Sequence, residues 1–363
     1  MNTDLEIRNI TLHPLNVPLK ASFDTATSRV PVIDNLAVAI ELADGSRGWG
    51  EVPILHPVTT EDSQTALEIL ERESGMLTGE NAGEWRRIAN ELLERLPGFA
   101  AVRCGLEMAV IDAFMRSRRI PLYLFFGGMS DSVNTDITIP ICPANEARYL
   151  ASQYKLEGFT IIKTKIGHDT GSDITRILAI KQAFSDCRLI LDANTGYSVI
   201  ETLEILAELR KADIVPDLLE QPLKREDWEG MGKLTREAGV PIAADESCRT
   251  PADAMRIAKG GLAHVINIKL AKCGVVQALD IVSIARSGDI GLMIGGMVET
   301  RIAMGFSAHF AAGLGGFDWI DLDTPLLLAD DPVEGGYLGE GPCYRLNTGS
   351  SGHGGNLILH KKT

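Results

Sequence analysis

Residues 160–167 read TIIKTKIG, a run of β-branched residues that contains two lysines separated by one residue. Successive side chains of a β-strand point to opposite faces, so Lys163 and Lys165 point to the same side. Two ammonium groups on one side of a buried strand lose hydration and repel each other, at a cost of several kcal/mol unless anions lie nearby. The stretch therefore predicts a buried strand that contributes to a charged site.

Comparable runs, beginning with VNTDITIPI at 133–141, recur at near-constant spacing along the rest of the chain and are each interpreted as one strand, with helical patterns such as 173–184 and 198–212 between them. One polar marker per run gives steps of 27, 27, 28, 25, 24, 27 and 25 residues for Thr138, Lys165, Asp192, Glu220, Asp245, Lys269, Gly296 and Asp321. One strand, one helix and two loops need about this length, and eight such units close into a barrel. An open doubly wound sheet rarely has eight uniform units, and no G-x-G-x-x-G follows an early strand. The pattern predicts an α/β fold, a (β/α)8-type TIM barrel at residues 126–328.

The segments on either side of the barrel have a different pattern. Residues 1–125 contain two or three antiparallel strand patterns with ADG as a turn, followed by helical patterns at 61–75, 82–96 and 102–118. This predicts an α+β domain in front of the barrel. Residues 329–363 are rich in turn residues, and we expect them to pack back on that domain.

The composition excludes several classes of protein. With 363 residues, a net charge of −14 and a pI near 5.0, the chain is not suited to nucleic acid or an anionic membrane. Its six cysteines form no CxxC pair and its seven histidines form no HxH or HxxxH pair, so neither a disulfide framework nor a zinc site is indicated. We find no signal-peptide pattern and no membrane-length apolar run, and expect a cytoplasmic protein.

Three acidic residues end adjacent predicted strands, at the face where barrel active sites are built. They are Asp192, Glu220 and Asp245. Crowded carboxylates repel one another unless a hard cation lies among them, and oxygen ligands suit Mg²⁺. Each could instead cap a following helix, but three in register, flanked by lysines, favour a metal site.

Lys165 and Lys269 are expected on opposite sides of that metal. This arrangement suits two acid/base groups that act on opposite faces of one carbon. The α-proton of a carboxylate is very weakly acidic, so its removal needs a metal that stabilises the resulting charge. A surface lysine is the alternative for Lys269, and a Schiff-base aldolase is an alternative for a lysine within a barrel strand.

Five short motifs occur in order at the ends of the predicted strands. They are K-T-K at 163–165, D-A-N at 192–194, E-Q-P at 220–222, A-D-E-S at 244–247 and N-I-K at 267–269. With these motifs the sequence resembles the muconate-lactonizing-enzyme subgroup of the enolase superfamily. The resemblance implies that the N-terminal domain and the tail form a capping domain. It also implies that Asp192, Glu220 and Asp245 bind one Mg²⁺ per subunit, that Lys165 and Lys269 transfer protons, and that Lys163 contacts the substrate carboxylate.

The last predicted strand bears on the substrate. In IDLDTP, Asp321 and Asp323 lie on one face, and two carboxylates suit an ammonium group. The sequence thus resembles dipeptide epimerases, which implies inversion of the α-carbon of the C-terminal residue by two-lysine 1,1-proton transfer through an enediolate. Thr138, Gly296 and Val298 match positions that line the substrate pocket in that group. Alternatives are an N-acylamino acid racemase, an o-succinylbenzoate synthase, a muconate cycloisomerase, or an aspartate pair that caps the last helix.

The segment KASFDTATSRV, residues 20–30, corresponds to a specificity loop of the resembling family. Alanine–glutamate epimerases have an arginine where this chain has Ser28, and Arg29 follows it. Asp24 in the same loop would favour a cationic side chain. The preferred dipeptide therefore stays open, as does whether the chain forms a homo-oligomer.

Overall fold

Three antiparallel strands open the computed structural model, which describes residues 3–24, 29–56 and 58–359. They are β1 (Ile7–Asp24), β2 (Arg29–Leu42) and β3 (Arg47–Val52), in the spatial order β1-β2-β3. The predicted ADG turn joins β2 to β3, and Gly45 adopts φ +84° there, a left-handed conformation that glycine reaches at little cost. The sheet is the first layer of the capping domain.

Helices cover one face of this sheet, and the bounds of α1 (Ser63–Leu77), α2 (Trp85–Arg95) and α3 (Ala100–Arg118) are close to those predicted. A short helix that was not predicted, α4 (Leu122–Phe125), follows them. Short 3-10 turns occupy Thr3–Leu5 and Ala82–Glu84. Helix α3 lies directly on β3 because both have glycine at the crossing. A Cβ at Gly50 would lie 2.0 Å from the carbonyl oxygen of Gly105. This close approach brings α3 within reach of the barrel.

Strand β4 (Ser132–Asn134) precedes a barrel of eight parallel strands: β5 (Ile137–Ile139), β6 (Ile161–Lys165), β7 (Arg188–Asp192), β8 (Leu218–Glu220), β9 (Ile242–Ala244), β10 (Val265–Ile268), β11 (Gly291–Gly295) and β12 (Trp319–Asp321). The strands follow one another in chain order around the sheet. The first and last strands meet where Asp136 N donates to Ile320 O at 2.9 Å and Leu322 N donates to Thr135 Oγ1 at 2.9 Å. The predicted TIM barrel with an N-terminal α+β capping domain is confirmed.

The helices of the barrel are α5 (Ala144–Leu156), α6 (Thr170–Ala183), α7 (Val199–Lys211), α8 (Trp228–Glu237), α9 (Pro251–Gly260), α10 (Leu270–Cys273), α11 (Val275–Ser287), α12 (Arg301–Leu314) and α13 (Thr324–Leu327). Many begin at a polar cap. Ser198 and Glu201 form a capping box at the start of α7, and Thr250 and Asp253 form one at the start of α9. Within the described ranges, no helix combines the length and the apolar character needed to cross a membrane.

The interior of the barrel is apolar at its floor and charged above it. Ile190, Leu218, Ala243, Val265 and Met293 form a buried cluster contributed by five consecutive strands. Two residues further along β7 and β8, the inward positions become acidic. The floor keeps water out from below, so the charged side chains face a single opening at the carboxyl ends of the strands.

The C-terminal segment returns to the capping domain, as predicted. Strands β13 (Val333–Glu334) and β15 (Asn356–Leu357) pair with each other, and β14 (Cys343–Arg345) pairs with β4. His353 N donates to the buried Asp112 Oδ1 at 2.8 Å, which ties the tail to α3. The run at 133–141 had been interpreted as one strand, but the structure divides it between the tail and the barrel, because β4 pairs with β14 and β5 with β6.

Candidate active site

The predicted polar residues end consecutive barrel strands. Lys163 and Lys165 lie in β6, Asp192 and Glu220 are the last residues of β7 and β8, and Asp245 and Lys269 directly follow β9 and β10. Lys165 is in register with Asp192, and Asp192 with Glu220. Parallel strands in register place their carboxyl ends side by side, so the regularly spaced charged residues form a ring at the mouth of the barrel.

A cavity opens above this ring and brings most of the predicted residues together. Its lining includes Thr138, Lys165, Asp245, Lys269, Gly296, Val298, Asp321 and Asp323. Lys163, Asp192 and Glu220 lie beneath it, each at most 1% exposed. All eleven residues that we assigned to the barrel site are thus at or directly under one cavity.

Lys163 is held by three carboxylates. Its Nζ lies 2.6 Å from Asp321 Oδ2, 2.8 Å from Glu220 Oε2 and 3.1 Å from Asp192 Oδ2. Burial alone would lower the pKa of Lys163, but the three anions outweigh it and hold the pKa well above its ordinary value. These contacts therefore favour the protonated form of Lys163.

Lys165 and Lys269 face each other across the barrel mouth. Their strands, β6 and β10, are four places apart in a sheet of eight, which is half the circumference. Lys165 Nζ lies 2.6 Å from Asp192 Oδ2, and Lys269 Nζ lies 2.8 Å from Asp245 Oδ2. Each lysine is thus steered by a different carboxylate, and both line the cavity.

Burial and the lysines affect the three carboxylates differently. Burial alone would raise the pKa of Asp192, but Lys163 and Lys165 hold it below its ordinary value. Asp245 is lowered in the same way by Lys269 and Lys272. For Glu220, burial and the neighbouring Asp192 raise the pKa to about 7. The raised pKa marks Glu220 as the carboxylate of the ring whose negative charge the lysines offset least, and a cation beside it would stabilise that charge.

Asp321 and Asp323 both reach the cavity from the end of β12. Asp323 Oδ2 accepts a hydrogen bond from Thr138 N at 2.6 Å. Asp323 immediately precedes α13, but its side chain makes no capping hydrogen bond to that helix. The alternative that this aspartate caps the last helix is therefore not supported.

Comparison with known proteins places this site in a family. A family model described as enolase C-terminal domain-like matches residues 146–357, more than half of the chain. The chain belongs to the enolase superfamily. It is 50% identical to an L-Ala-D/L-amino acid epimerase of Populus trichocarpa, over 97% of this chain and 85% of that protein. It is 43% identical to an aromatic dipeptide epimerase of Herpetosiphon aurantiacus, over 97% and 99% of the two chains.

Solved structures agree with this assignment. A dipeptide epimerase of Enterococcus faecalis, crystallised with Mg and the dipeptide L-Leu-L-Tyr, superposes with a TM-score of 0.92 at 33% identity and covers 96% of this chain and 99% of its own. This enolase-superfamily chain is accordingly an isomerase of the racemase and epimerase class.

The enolase-superfamily site offers hard oxygen donors for a divalent metal. Beside the three predicted carboxylates, Asn194 Oδ1 and Glu246 Oε2 are buried and accept no hydrogen bond from the described residues. Carboxylate and amide oxygens are ligands that Mg²⁺ accepts. The donor set therefore fits Mg²⁺.

The predicted ligands do not form the tightest acidic group of the structure. Among the described residues, the three whose oxygens all lie within 4.8 Å of one another are Asp136, Asp321 and Asp323. Asp192, Glu220 and Asp245 are each drawn toward a lysine instead, at 2.5 to 3.1 Å. Coordination by these three would therefore exchange lysine contacts for metal contacts.

The sequence analysis missed several residues of the site. Lys272 Nζ lies 2.5 Å from Asp245 Oδ1, 2.5 Å from Asp245 O and 3.0 Å from Asn267 O, so it fixes Asp245 from the side opposite Lys269. Asn267 Nδ2 donates to Glu220 Oε1 at 2.7 Å. The spacing K-x-x-K at 269–272 would have indicated Lys272, because residues three apart in a helical turn lie on one side.

The capping domain fixes two loops of the site. Glu107 of α3 accepts from Val275 N at 2.6 Å and Val276 N at 3.0 Å, at the start of α11. Arg103 of α3 donates to Cys273 O at 3.1 Å, at the end of the short helix that follows Lys269. Glu51 of β3 accepts from Thr300 Oγ1 at 2.7 Å, beside the loop that contains Gly296 and Val298. These contacts between the two domains therefore fix the position of Lys269 relative to the loop that contains Gly296 and Val298.

The proposed specificity loop is described in part. Ser28 lies outside the described residues. Asp24 and Arg29 are paired across β1 and β2. The exposed Arg29 donates from Nε to Ser22 Oγ at 3.3 Å. Arg29 is not among the described residues that line the cavity. The expectation that this loop selects the substrate side chain stays a prediction.

Proposed function

We propose that this protein is a Mg²⁺-dependent dipeptide epimerase that inverts the α-carbon of the C-terminal residue of its substrate. The observation that carries the proposal is the placement of Lys165 and Lys269 on opposite sides of one cavity that also contains Asp321 and Asp323. Two bases on opposite faces can exchange a proton with inversion, and an acidic pair selects a substrate with a free amine. The names of the similar epimerases support the same substrate class.

The two lysines act on one carbon in turn. A neutral lysine on one face removes the α-proton, and the protonated lysine on the other face returns a proton with the opposite configuration. Burial lowers the pKa of Lys269, but the nearby carboxylates of Asp245 and Glu220 raise it by more. In the structure Lys269 is therefore protonated and can donate a proton. When bound by Asp192, Glu220 and Asp245, Mg²⁺ would supply the positive charge that stabilises the anion of the deprotonated carboxylate substrate.

The substrate is oriented at its two ends. Lys163, together with a Mg²⁺ ion held by the three predicted carboxylates, would supply the positive charge that suits the substrate carboxylate, while Asp321 and Asp323 suit its ammonium group. A dipeptide in this orientation has the α-carbon of its second residue between the lysines. An N-acylated amino acid or a succinylbenzoate has no ammonium group, and would leave Asp323 Oδ1, which accepts no hydrogen bond from the described residues, without a donor.

The walls of the cavity favour an apolar second residue. Leu55, Val58, Met297 and Val298 line it, and each has an apolar side chain. A charged substrate side chain that packs against these four residues would lose hydration without gaining a partner from them. We therefore propose a preference for dipeptides whose C-terminal residue is apolar, over those with glutamate at that position.

Incubation of a dipeptide library in D₂O with MgCl₂, followed by mass spectrometry, tests the function directly. Each turnover replaces the α-hydrogen by deuterium, so substrates gain one mass unit. We expect exchange in L-Ala dipeptides with C-terminal Val, Leu or Phe before those with Glu, and none in their N-acetyl forms. Exchange confined to N-acylated amino acids would refute the proposal, as would exchange that persists at full rate without divalent metal.

A further inference from the structure

Three buried carboxylates meet where the barrel closes between β12 and β5. Asp136, Asp321 and Asp323 are 0%, 6% and 1% exposed. One oxygen from each lies within 4.8 Å of the other two. Asp136 precedes Thr138 by two residues, so it points inward one step deeper than the cavity lining, behind the two aspartates that face the substrate.

The protein itself neutralises this group only in part. Among the described residues, one cationic side chain, Lys163, forms an ion pair with it, at Asp321 Oδ2, and the same ammonium is shared with Asp192 and Glu220. Asp323 Oδ2 accepts a hydrogen bond from Thr138 N. Both oxygens of Asp136 and Oδ1 of Asp323 accept no hydrogen bond from the described residues. Burying a carboxylate without a hydrogen-bond donor costs free energy, so a partner that binds these oxygens would stabilise the protein.

The size of the group matches a compact monovalent cation. For three atoms at most 4.8 Å apart, some point lies within about 2.8 Å of all three, which is the N···O distance of an ammonium hydrogen bond. An ammonium ion donates to several acceptors at once, as three carboxylates require. Mg²⁺ dehydrates reluctantly and usually keeps several waters, so a buried group with one oxygen from each of three residues suits it less than a monovalent cation.

We propose that Asp136, Asp321 and Asp323 bind a compact monovalent cation, NH₄⁺ or K⁺, in the free enzyme, and that the substrate ammonium displaces it. Asp323 Oδ2 accepts from Thr138 N, whereas Asp323 Oδ1 accepts no hydrogen bond from the described residues. The monovalent cation and the substrate ammonium would both need Oδ1, so one displaces the other. Cation binding stands on the geometry alone, whereas the displacement rests on the proposed function. A proton is the rival occupant, since burial, Asp321 and Asp323 raise the pKa of Asp136 well above its ordinary value, and burial and Asp321 raise the pKa of Asp323 to about 7.

Thermal unfolding of the Mg²⁺-loaded protein at pH 8 tests cation binding. NH₄Cl or KCl is exchanged for tetramethylammonium chloride at constant ionic strength, because the bulky ion cannot fit among the carboxylates. We expect 100 mM NH₄⁺ to raise the Tm by about 2 °C if that concentration is ten times Kd. Asp136→Asn should lose this rise. Asp186→Asn is the matched control, because it removes one exposed carboxylate and should keep the rise.

A flat response of the wild-type protein overturns the proposal, as does an equal Tm rise in Asp136→Asn. The wild-type titration decides the matter even if Asp136→Asn fails to fold. Kinetics with L-Ala-L-Phe then test displacement: NH₄⁺ should raise the apparent KM in proportion to its concentration, with kcat constant. A Tm rise without any change in KM overturns the displacement. A Tm rise without any epimerisation would instead refute the proposed function, and the two failures are thereby distinguished.

Discussion

Replacing Asp323 by asparagine removes one negative charge from the cavity and leaves the shape of the side chain almost unchanged. The residue is 1% exposed, so solvent does not screen the charge that is lost. Asparagine can still accept the hydrogen bond of Thr138 N, which lies 2.6 Å from Asp323 Oδ2. Its amide group then faces the substrate ammonium with N–H donors in place of the free oxygen. The substitution therefore tests the ammonium contact with little change to the fold.

The expected loss follows from the strength of one contact. A hydrogen bond between charged groups contributes about 1.5–3 kcal/mol, which corresponds to roughly a 10- to 150-fold fall in kcat/KM for a free dipeptide. The fall should appear mainly in KM, because the contact is made in both the bound substrate and the transition state. Burial and Asp321 raise the pKa of Asp323 to about 7, so wild-type KM should rise as the pH falls below 7. Asp323→Asn should lack that rise.

The assay is the initial rate of epimerisation of L-Ala-L-Phe between pH 6 and 8.5, followed by polarimetry. N-acetyl-L-phenylalanine is the matched control substrate, because it has no ammonium group and should be equally poor for both proteins. Asp186→Asn, whose side chain is exposed, controls for net charge. An unchanged KM for L-Ala-L-Phe in Asp323→Asn, or a wild-type preference for the N-acetyl substrate, would refute the reasoning.

Other consequences of the structure can be measured separately. Lys165→Ala and Lys269→Ala should each lower epimerisation by about 10²- to 10⁴-fold, with residual deuterium exchange limited to one diastereomer; equal exchange of both would contradict the two-base assignment. EDTA should abolish activity and MgCl₂ restore it, as a rate assay will show. Leu218→Ala should lower the free energy of unfolding by about 2–5 kcal/mol in urea titrations, whereas Ile200→Ala, an exposed position, should change it by less than about 0.5 kcal/mol. Burial raises the pKa of Glu107 to about 7, so the folded state retains a proton that the unfolded state releases, and this residue should lower stability as the pH rises from 5 to 7, by at most about 1.4 kcal/mol per unit; Glu107→Gln should make the measured slope shallower by that contribution.

The barrel could be predicted because its period follows from geometry. One strand and one returning helix need a nearly fixed number of residues, so steps of 24 to 28 residues indicate the fold before any side chain is considered. The same regularity places Lys165, Asp192 and Glu220 at the ends of neighbouring strands, and the structure brings them together. Residues with regular spacing on strands were therefore within reach of the sequence.

Residues that lie outside this regular spacing could not be predicted from the sequence. Lys272 lies on the short helix after β10, where the alternation of a strand no longer says which way a side chain points. Asp136 was hidden in a run interpreted as one strand, although the chain changes partners between Asn134 and Ile137. Which oxygen of Asp323 keeps a free lone pair depends on a backbone donor, Thr138 N, from the far end of the barrel sequence. Such pairings depend on the positions of atoms, which sequence spacing does not determine.

The two lysines of TIIKTKIG illustrate how position separates residues of identical chemistry. Both point into the barrel, but Lys163 lies one step deeper and contacts Asp192, Glu220 and Asp321, whereas Lys165 forms an ion pair with Asp192. A cation held by three anions stays protonated, so Lys163 can attract a carboxylate but cannot serve as a base. Lys163 also joins the proposed metal ligands Asp192 and Glu220 to Asp321, which we propose to bind the substrate ammonium. Under that proposal a single buried charge lies between the sites for the two ends of the substrate, and Lys165, the next lysine along the strand, acts on the carbon between them.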